Sequence, residues 1–300
     1  MLAPIVLFVY NRPWHTRKTL ESLEKNDLAK ESELFIFSDG PKEGATREQL
    51  EKISETRKVI KEKKWCGKVN ILEREKNMGL ANSVIGGVTE IIGKFGKIIV
   101  LEDDFLLSKN FLKYMNNALE RFEKEEKIMQ ISGYTFPADI PEKVDAFFLP
   151  FTTSWGWGTW KRVWDIFDES AEGAKILDEN KELRYKFDLE GSYPYYKMLK
   201  AQQNKKVDSW AIRFYLSVFL KNGLTLYPRK TLVNNIGFDG SGVHCRSGVE
   251  QGFLDDSFTV NSFPDNVVVD KEDRVEIFRH IKKQNNFFRK LMKIIARKVK

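Results

Sequence analysis

The fold follows from one stretch of the sequence, Ile98-Ile99-Val100-Leu101-Glu102-Asp103-Asp104. Its first four residues are apolar and mostly β-branched, which is typical of a central strand buried on both faces of a sheet. The three acids that follow are costly to bury without partners, and carboxylates are ligands that hard divalent cations prefer. Because neighbouring side chains of a strand point to opposite faces, we expect Asp103 and Asp104 to act separately, one on a metal ion and the other on a hydroxyl. A solvated acidic strand end is the alternative interpretation.

Apolar runs alternate with helical periodicity on the N-terminal side of this stretch. We predict strands at 5–10, 34–38 and 69–72, and helices over 46–63 and 79–92. This alternation predicts an α/β fold with a mostly parallel, Rossmann-like sheet flanked by helices. Beyond the stretch, Ser108 is expected to cap a helix with an apolar stripe, and further strands are predicted at 128–132 and from Thr225 onward.

Charged side chains follow three of the predicted strands. Arg12, Asp39 and Asp104 each lie just past a strand end, and ligands of open α/β sheets bind in the crevice beyond the carboxyl ends of the strands. We therefore predict a binding site there. A cation together with Arg12 suits a phosphate-rich ligand, and Asp39 could accept a hydrogen bond from a base or a hydroxyl.

The half of the chain after Pro150 is more aromatic and less regular. Its most unusual segment is 154–160, which alternates tryptophan with glycine. Glycines allow a close approach of the backbone to a ligand, and flat aromatic faces suit sugar rings. One interpretation is therefore a loop beside a ligand, and the other is that the tryptophans are core residues around a tight turn.

Two polar features of this half are candidates for chemistry. Asp208 precedes a strongly apolar helix over 211–220, where it is expected to be the N-cap, and an ionised carboxylate there also suits a general base. The glycine-rich loop over 235–244 can wrap phosphates through its backbone N–H groups. His244 at its end is either a structural residue or a ligand of the metal or a phosphate. His15 and His280 are expected on the surface.

Composition and charge place the chain among globular α/β proteins. The 300 residues contain 42% hydrophobic and 31% charged residues, with two cysteines, which suggests a reducing, cytoplasmic location. The formal net charge is +7, and the segment 281–300 holds eight Lys or Arg and no acid. We expect this C-terminal basic helix to contact an anionic membrane surface peripherally, on the inner face. The alternatives are a helix docked on the core or paired with another chain.

At this point the residues resemble the GT-A nucleotide-sugar glycosyltransferases. The run 77–81, a glycine at 86 or 87, and the acids at 102–104 resemble the family-2 pattern that ends in a metal-binding acid motif. Within that fold the order of Arg12, Asp39, the acids, the segment 155–157, Asp208 and the loop 240–244 is similar to N-acetylglucosaminyltransferase I. The resemblance spans most of residues 1–250, and it divides the chain into a nucleotide-sugar half (1–134), an acceptor and catalytic half (135–265) and a basic tail (266–300).

The resemblance implies an inverting, metal-dependent transfer from a UDP-sugar, UDP-GlcNAc being one candidate, to a glycan or lipid-linked acceptor. Asp208 would be the general base, and Asp104 with His244 would hold Mn²⁺ or Mg²⁺. Arg12 and Asp39 would hold the uracil end, Asp103 the ribose or sugar, and Glu102 the donor sugar. The full set of donor-binding residues that it implies is Arg12, Asp39, Asn82, Glu102, Asp103, Trp157, Gly240, Ser241 and Gly242.

Two other classes of protein remain open on the sequence. A metal-dependent sugar nucleotidyltransferase also uses acids at strand ends, although such enzymes carry a glycine-rich basic loop after the first strand, where this chain has Asn11-Arg12-Pro13-Trp14. A non-catalytic protein that binds nucleic acid is compatible with the net charge. We expect no nucleic-acid partner, because the basic residues concentrate at the terminus and no recognition motif appears.

Overall fold

A computed structural model describes residues 1–239 and 252–298 of the protein, with the backbone alone described for 287–298. The strands, in chain order, are β1 (Ile5–Val9), β2 (Glu33–Ser38), β3 (Lys68–Glu73), β4 (Lys97–Glu102), β5 (Phe105–Leu107), β6 (Ile128–Ser132), β7 (Ala146–Leu149), β8 (Trp157–Trp160), β9 (Leu224–Pro228) and β10 (Val233–Asn235). The helices are α1 (Pro13–Glu24), α2 (Arg47–Lys61), α3 (Leu80–Phe95), α4 (Phe111–Arg121), α5 (Lys161–Trp164), α6 (Ala174–Glu179), α7 (Lys181–Phe187), α8 (Tyr195–Gln203), α9 (Trp210–Leu220) and α10 (Lys271–Lys298).

Eight of the strands form one sheet in the order β3-β2-β1-β4-β8-β6-β9-β7. The pairs β2·β3, β1·β2, β1·β4 and β6·β9 are parallel, whereas β8 and β7 run against their neighbours. The predicted α/β fold with a mostly parallel sheet flanked by helices is confirmed. The sheet takes strands from both predicted halves of the chain, and the proposed boundaries at 134 and 265 stay predictions.

The strand directions bring several chain segments to one edge of the sheet. Strands β1, β2, β4 and β6 all end at this edge, and the antiparallel strand β8 begins there. Residues that follow β1, β2, β4 or β6 and residues that precede β8 therefore share one rim. This is the edge at which open α/β sheets bind ligands.

A second, two-stranded sheet lies beyond the end of β4. Strand β5 pairs antiparallel with β10, with Phe105 opposite Asn235 and Leu107 opposite Val233. The backbone N–H of Ile236 also donates to the carbonyl of Asp104 at 2.8 Å. This pairing places the chain around 235–237 against the acid stretch, across a sequence separation that no local pattern reveals.

Apolar side chains gather in two clusters. The larger contains the central strands β1 and β4, which are fully buried in their apolar positions, together with the stripe of α4 that includes Phe111, Met115 and Leu119. The smaller cluster lies around Phe187 and Tyr215, and it includes Ile277, Phe278 and Ile281 of α10. The first part of the C-terminal helix, up to Ile281, is therefore docked on the core. The alternatives for the basic tail beyond Asn285 stay open.

Two predicted helix caps are wrong. The position before α4 belongs to Asn110, not Ser108, because Ser108 still continues the β5 segment and its N–H donates to the carbonyl of Leu232 at 2.9 Å. At α9 the cap is Ser209, whose hydroxyl accepts a hydrogen bond from the N–H of Ile212 at 3.4 Å. Asp208 lies one residue too early for that role. Its carboxylate is bonded to a side chain of the helix instead.

Helix length and hydropathy bear on membrane insertion. Across the part of the chain that the structure describes, none of the helices combines the length and the apolar character needed to cross a bilayer.

Candidate active site

The acids of the stretch 98–104 contact Arg12 at the ligand-binding edge of the sheet. Nη1 of Arg12 lies 2.9 Å from Oδ2 of Asp104 and 3.5 Å from Oδ1 of Asp103. Strand alternation does not separate the two aspartates, because β4 ends at Glu102 and the chain turns before β5. Two carboxylates and one guanidinium therefore share a single, largely buried place. The separate roles of Asp103 and Asp104, one on a metal ion and one on a hydroxyl, stay a prediction.

Burial and mutual repulsion shape the charge of this cluster. Burial, followed by the neighbouring Asp104 and Asp103 charges, raises the pKa of Glu102 to about 8. Burial and Asp104 likewise raise the pKa of Asp103 to about 7, although Arg12 pulls in the opposite direction. One guanidinium does not balance three adjacent acids, and a further positive charge would stabilise their ionised forms.

Asp104 carries an oxygen that suits a cation. Its Oδ2 is bonded to Arg12, whereas its Oδ1 is buried and has no hydrogen-bond partner among the described residues. A buried carboxylate oxygen without a partner is costly, and a divalent cation is a natural acceptor of its lone pairs. The described residues contain no group of three or more His, Cys, Asp or Glu arranged to hold a metal ion. A cation here would thus rely on Asp104 and on ligands from elsewhere.

The chain at 235–239 completes the described part of this site. The sequence predicted a glycine-rich loop that begins here, but it did not predict the contact of this loop with the acids. Gly237 lies so close to the acids that a Cβ atom on it would come within 2.2 Å of Asp104 Oδ2 and 2.6 Å of Arg12 Nη2. Its N–H donates to Oδ1 of Asn235 at 2.7 Å. A larger residue at this position would therefore have to displace the ion pair.

His15 is part of the same region, and its expected surface location is wrong. The ring is buried, and its Nε2 lies 3.0 Å from Oδ2 of Asp239. Burial, together with the nearby charge of Arg12, lowers the pKa of His15. The signal was in the sequence, since His15 lies three residues after Arg12 at the start of α1, and residues at that spacing share a helix face.

Asp39 lies at the same edge but makes structural contacts. Its carboxylate accepts hydrogen bonds from the N–H groups of Gly40 at 3.0 Å, Met78 at 2.9 Å and Gly79 at 3.1 Å. Gly79 is the residue before α3, so Asp39 satisfies backbone donors at that helix start. Asn82, in the first turn of α3, is exposed, and its Nδ2 donates a hydrogen bond to the carbonyl of Met78 at 3.0 Å.

The tryptophan and glycine segment divides between core and rim. Trp157 has no exposed surface and stacks on Trp210, with ring centroids 5.0 Å apart. This ring is therefore a core residue, and its burial does not fit the predicted direct contact with a donor. Trp160 is also buried, and its Nε1 donates to the carbonyl of Leu119. Trp155 is partly exposed and lies at the rim, next to Tyr134 and Phe238.

Asp208 is held by an arginine of α9. Its Oδ1 lies 3.0 Å from Nη2 of Arg213, whose side chain is 8% exposed, whereas the Asp208 side chain is 60% exposed. Arg213 also donates to the carbonyls of Ser209 at 3.2 Å and Glu169 at 3.3 Å. Asp208 is thus an accessible carboxylate that Arg213 holds in place. Trp210, two residues further along the chain, packs on Trp157 of strand β8.

The last part of the predicted phosphate loop lies outside the described residues. Gly240, Ser241, Gly242 and His244 all fall in the segment 240–251, and their roles stay predictions.

This fold and this arrangement of acids define a class of protein. Residues 5–162 match the family described as Glycosyl transferase family 2, and the chain belongs to that family. Among curated proteins no match to the chain is found. The closer likeness to N-acetylglucosaminyltransferase I stays a prediction.

Two solved structures are similar to the chain. Residues 1–349 of TarS from S. aureus share 13% sequence identity with the chain, at a TM-score of 0.43 over 78% of this chain and 60% of that one. The chain thus spans less than two thirds of that TarS fragment. A UDP-glucose pyrophosphorylase complexed with UDP-glucose is similar at 9% identity and a TM-score of 0.38, over 75% of this chain and 90% of that one.

Proposed function

We propose that the protein transfers a sugar from a UDP-sugar to a hydroxyl group of a glycan or glycolipid, in a metal-dependent reaction that inverts the anomeric centre. The observation that carries this proposal is the Arg12–Asp104 pair at the carboxyl edge of a family 2 sheet. One buried oxygen of Asp104 has no partner within 1–239 and 252–298. UDP-GlcNAc is the first donor to test.

The residues at this edge fit a divalent cation. Asp104 would hold Mn²⁺ or Mg²⁺ through Oδ1, and His244 is the further candidate ligand or phosphate contact. Such an ion, when bound, supplies Lewis acidity at a diphosphate leaving group. Arg12 would add positive charge beside the diphosphate, while Asp103 and Glu102 would accept hydrogen bonds from the ribose and donor-sugar hydroxyls.

The remaining donor contacts are proposed to lie at the nucleotide half of the edge. Asp39 would act on the nucleotide through the backbone that it fixes at 78–79, and Asn82 would reach the donor from the first turn of α3. Gly240, Ser241 and Gly242 would offer backbone N–H groups to the diphosphate.

Asp208 is proposed as the general base. An exposed carboxylate fixed by Arg213 can accept the proton of an acceptor hydroxyl as that oxygen attacks the sugar. Attack on the face opposite the departing UDP gives a single displacement and inverted configuration, and no second carboxylate is needed to form a covalent intermediate.

The acceptor is proposed to be a glycan or a lipid-linked glycan. The basic segment 281–300 would hold the enzyme on an anionic membrane surface, where lipid-linked acceptors are found.

The test is UDP release from a panel of UDP-sugars, with Mn²⁺, with Mg²⁺ and with EDTA. We expect metal-dependent release that Asp104→Ala reduces at least about a hundredfold, because the variant loses the cation's carboxylate. Asp165→Ala, which removes an exposed acid paired with Lys161, serves as the control and should keep full activity. Formation of pyrophosphate from UTP and a sugar phosphate, without UDP release from any UDP-sugar, would instead identify a nucleotidyltransferase.

A further inference from the structure

A cluster of aromatic rings stands next to the acids on the rim of the sheet. We call it the Trp155 platform, and it consists of Trp155, Tyr134 and Phe238. The Trp155 centroid lies 4.4 Å from that of Tyr134 and 5.5 Å from that of Phe238. Tyr134 is 4% exposed, whereas Trp155 and Phe238 are both partly exposed. The buried tyrosine therefore supports two rings that keep part of their surface open.

Strand register places this platform beside the acid cluster. Trp157 pairs with Val100 of β4 on one side and with Ser132 of β6 on the other. Trp155 lies two residues further toward the rim, on the side where β4 reaches Glu102 and where Tyr134 follows β6. Phe238 comes directly after Gly237, whose backbone touches Asp104 and Arg12. The rings and the acids therefore lie on the same rim of the sheet.

The loop that carries Trp155 is held rigidly. Gln130 exchanges two hydrogen bonds with the backbone of Thr153, at 2.9 and 3.0 Å, and the hydroxyls of Ser132 and Thr153 are 2.6 Å apart. The N–H of Gly133 donates to the carbonyl of Gly156 at 2.6 Å. A ring fixed in this way loses little conformational entropy when a ligand covers it.

Two glycines make this close packing possible. A Cβ atom on Gly133 would lie 2.4 Å from the Phe111 ring, and one on Gly156 would lie 2.7 Å from Cγ2 of Val233. Gly156 also has a φ of +59°, which favours glycine. These residues press the Trp155 loop against α4 and β10, so the loop is a built feature of the fold.

The order of the strands selects which sugar would occupy the platform. Arg12 and Asp39 follow β1 and β2, the acids follow β4, and Trp155 precedes β8, the next strand beyond. A donor whose nucleotide lies over β1 and β2 and whose sugar lies at the acids leaves the β8 side open. If the protein is the proposed transferase, the molecule that would fill this side is the one that receives the sugar.

We propose that the Trp155 platform binds a pyranose ring of the acceptor by stacking, and that it thereby selects a glycosylated acceptor over a simple alcohol. The C–H faces of a pyranose are flat and weakly positive, which complements the electron-rich face of an indole ring. The polar rim of such a sugar can at the same time be hydrogen-bonded by groups around the crevice. This assignment rests on the proposed transferase function for the identity of the ring as an acceptor, and ring binding itself can be measured separately.

The experiment measures binding of methyl pyranosides to the full chain by saturation-transfer NMR. The probes are the methyl glycosides of glucose, galactose and N-acetylglucosamine, and the proteins are wild type, Trp155→Ala, Trp155→Phe and Tyr185→Ala. Tyr185 is the control, because it is an aromatic residue of α7 that is 55% exposed and lies outside the platform. UDP and UDP-sugar binding are titrated in parallel, and circular dichroism checks that each variant is folded.

We expect at least one pyranoside to bind wild type, and Trp155→Ala to weaken that binding about tenfold. Trp155→Phe should keep most of the affinity, Tyr185→Ala should keep all of it, and UDP-sugar affinity should be unchanged in every variant. The proposal is overturned if no pyranoside binds wild type, or if Trp155→Ala binds as well as wild type. It is also overturned if Trp155→Ala weakens UDP-sugar but not UDP, since the ring would then hold the donor sugar. Pyranoside binding through Trp155 with no UDP-sugar binding would refute the transferase function and leave the stacking site standing.

Discussion

At the scale of single residues, the acid cluster is governed by an imbalance of charge. Three consecutive acids stand against the guanidinium of Arg12, and burial raises the pKa of both Glu102 and Asp103. A folded protein in which acids have raised pKa values binds more protons than its unfolded chain. The cluster therefore costs stability whenever it is forced to ionise without a compensating cation.

The pH dependence of stability follows from these shifts. The pKa of Asp103 rises from 3.8 to about 7 and that of Glu102 from 4.5 to about 8. Proton binding by these two acids favours the folded state. This contribution to the free energy of unfolding is fully present below about pH 4 and is lost as the pH rises toward 8. We expect the melting temperature in EDTA to fall between pH 5.5 and pH 8 by roughly a few degrees more in wild type than in the double variant Glu102→Gln, Asp103→Asn.

Added Mn²⁺ should reduce this loss at pH 8 in wild type, because a cation stabilises the ionised carboxylates. Equal melting temperature changes in wild type and in the double variant would contradict the assigned origin.

The proposed base is also testable at a single residue. Asp208→Asn keeps the size of the side chain and a partner for Arg213 but cannot take a proton. We expect UDP-sugar affinity to stay unchanged, while the rate of transfer to an acceptor falls by about 10² to 10⁴. Single-turnover kinetics with a labelled donor measure both quantities. Asp165→Asn is the matched control, and a near-normal transfer rate in Asp208→Asn would mean that another group is the base.

At the scale of elements, the pairing of β5 with β10 brings a glycine to the acid cluster. We expect Gly237→Ala to displace the Arg12–Asp104 pair, because its Cβ would lie 2.2 Å from Asp104 Oδ2. Mn²⁺ affinity, measured by calorimetry, should fall at least about tenfold. Gly93→Ala is the control, since nothing lies within 4 Å of its Cβ position in helix α3, and it should stabilise the protein by about 0.5–1 kcal/mol.

Unchanged Mn²⁺ affinity in Gly237→Ala would show that the cation does not depend on the geometry of this pair. A loss of folding in Gly237→Ala, detected by circular dichroism, would place the effect in the β5·β10 sheet and not in the site alone.

The start of helix α3 depends on a residue from a different strand. Asp39 accepts hydrogen bonds from Gly40, Met78 and Gly79, and it is 7% exposed. We expect Asp39→Ala to lower the free energy of unfolding by about 1–3 kcal/mol, because three backbone N–H groups, that of Gly40 buried, lose their acceptor. Urea denaturation measures this, with Asp27→Ala as an exposed control. A stability loss below about 0.5 kcal/mol would favour a purely ligand-binding role for Asp39.

At the scale of the whole molecule, the C-terminal helix joins a docked part to a basic part. Ile277, Phe278 and Ile281 lie in the smaller core cluster, and Asn285 donates to the carbonyl of Ser192 at 3.3 Å. Arg229, after β9, pairs with the buried Asp273 at 2.7 Å. These contacts anchor the helix up to 285, and the basic residues that follow in the sequence are the basis of the proposed membrane contact.

We expect the full chain to sediment with vesicles that contain phosphatidylserine at about 50 mM salt and to be released at about 500 mM, since screening weakens charge attraction. A chain that ends at Asn286 keeps the docked part of α10 and should stay in solution. Vesicles of phosphatidylcholine alone are the control. Equal sedimentation of the truncated chain would place any membrane contact elsewhere on the protein.

The sequence by itself determined the alternation of strands and helices and the grouping of charged residues beyond strand ends. Those features are local, because a period of two or of 3.6 residues is written in neighbouring positions. The sequence thus yielded the α/β fold, the strand of the acid stretch and the region of the site around Arg12 and Asp104.

Only the tertiary structure decided how distant residues meet. The family resemblance assigned Trp157 to the donor, and His15 was expected on the surface. The structure buries both rings and leaves Trp155 partly exposed at the rim of the sheet. The contact of Gly237 with Asp104 joins positions more than a hundred residues apart through the β5·β10 pairing. Such contacts depend on strand order and register, which are set by the packing of the whole chain and leave no local pattern to read.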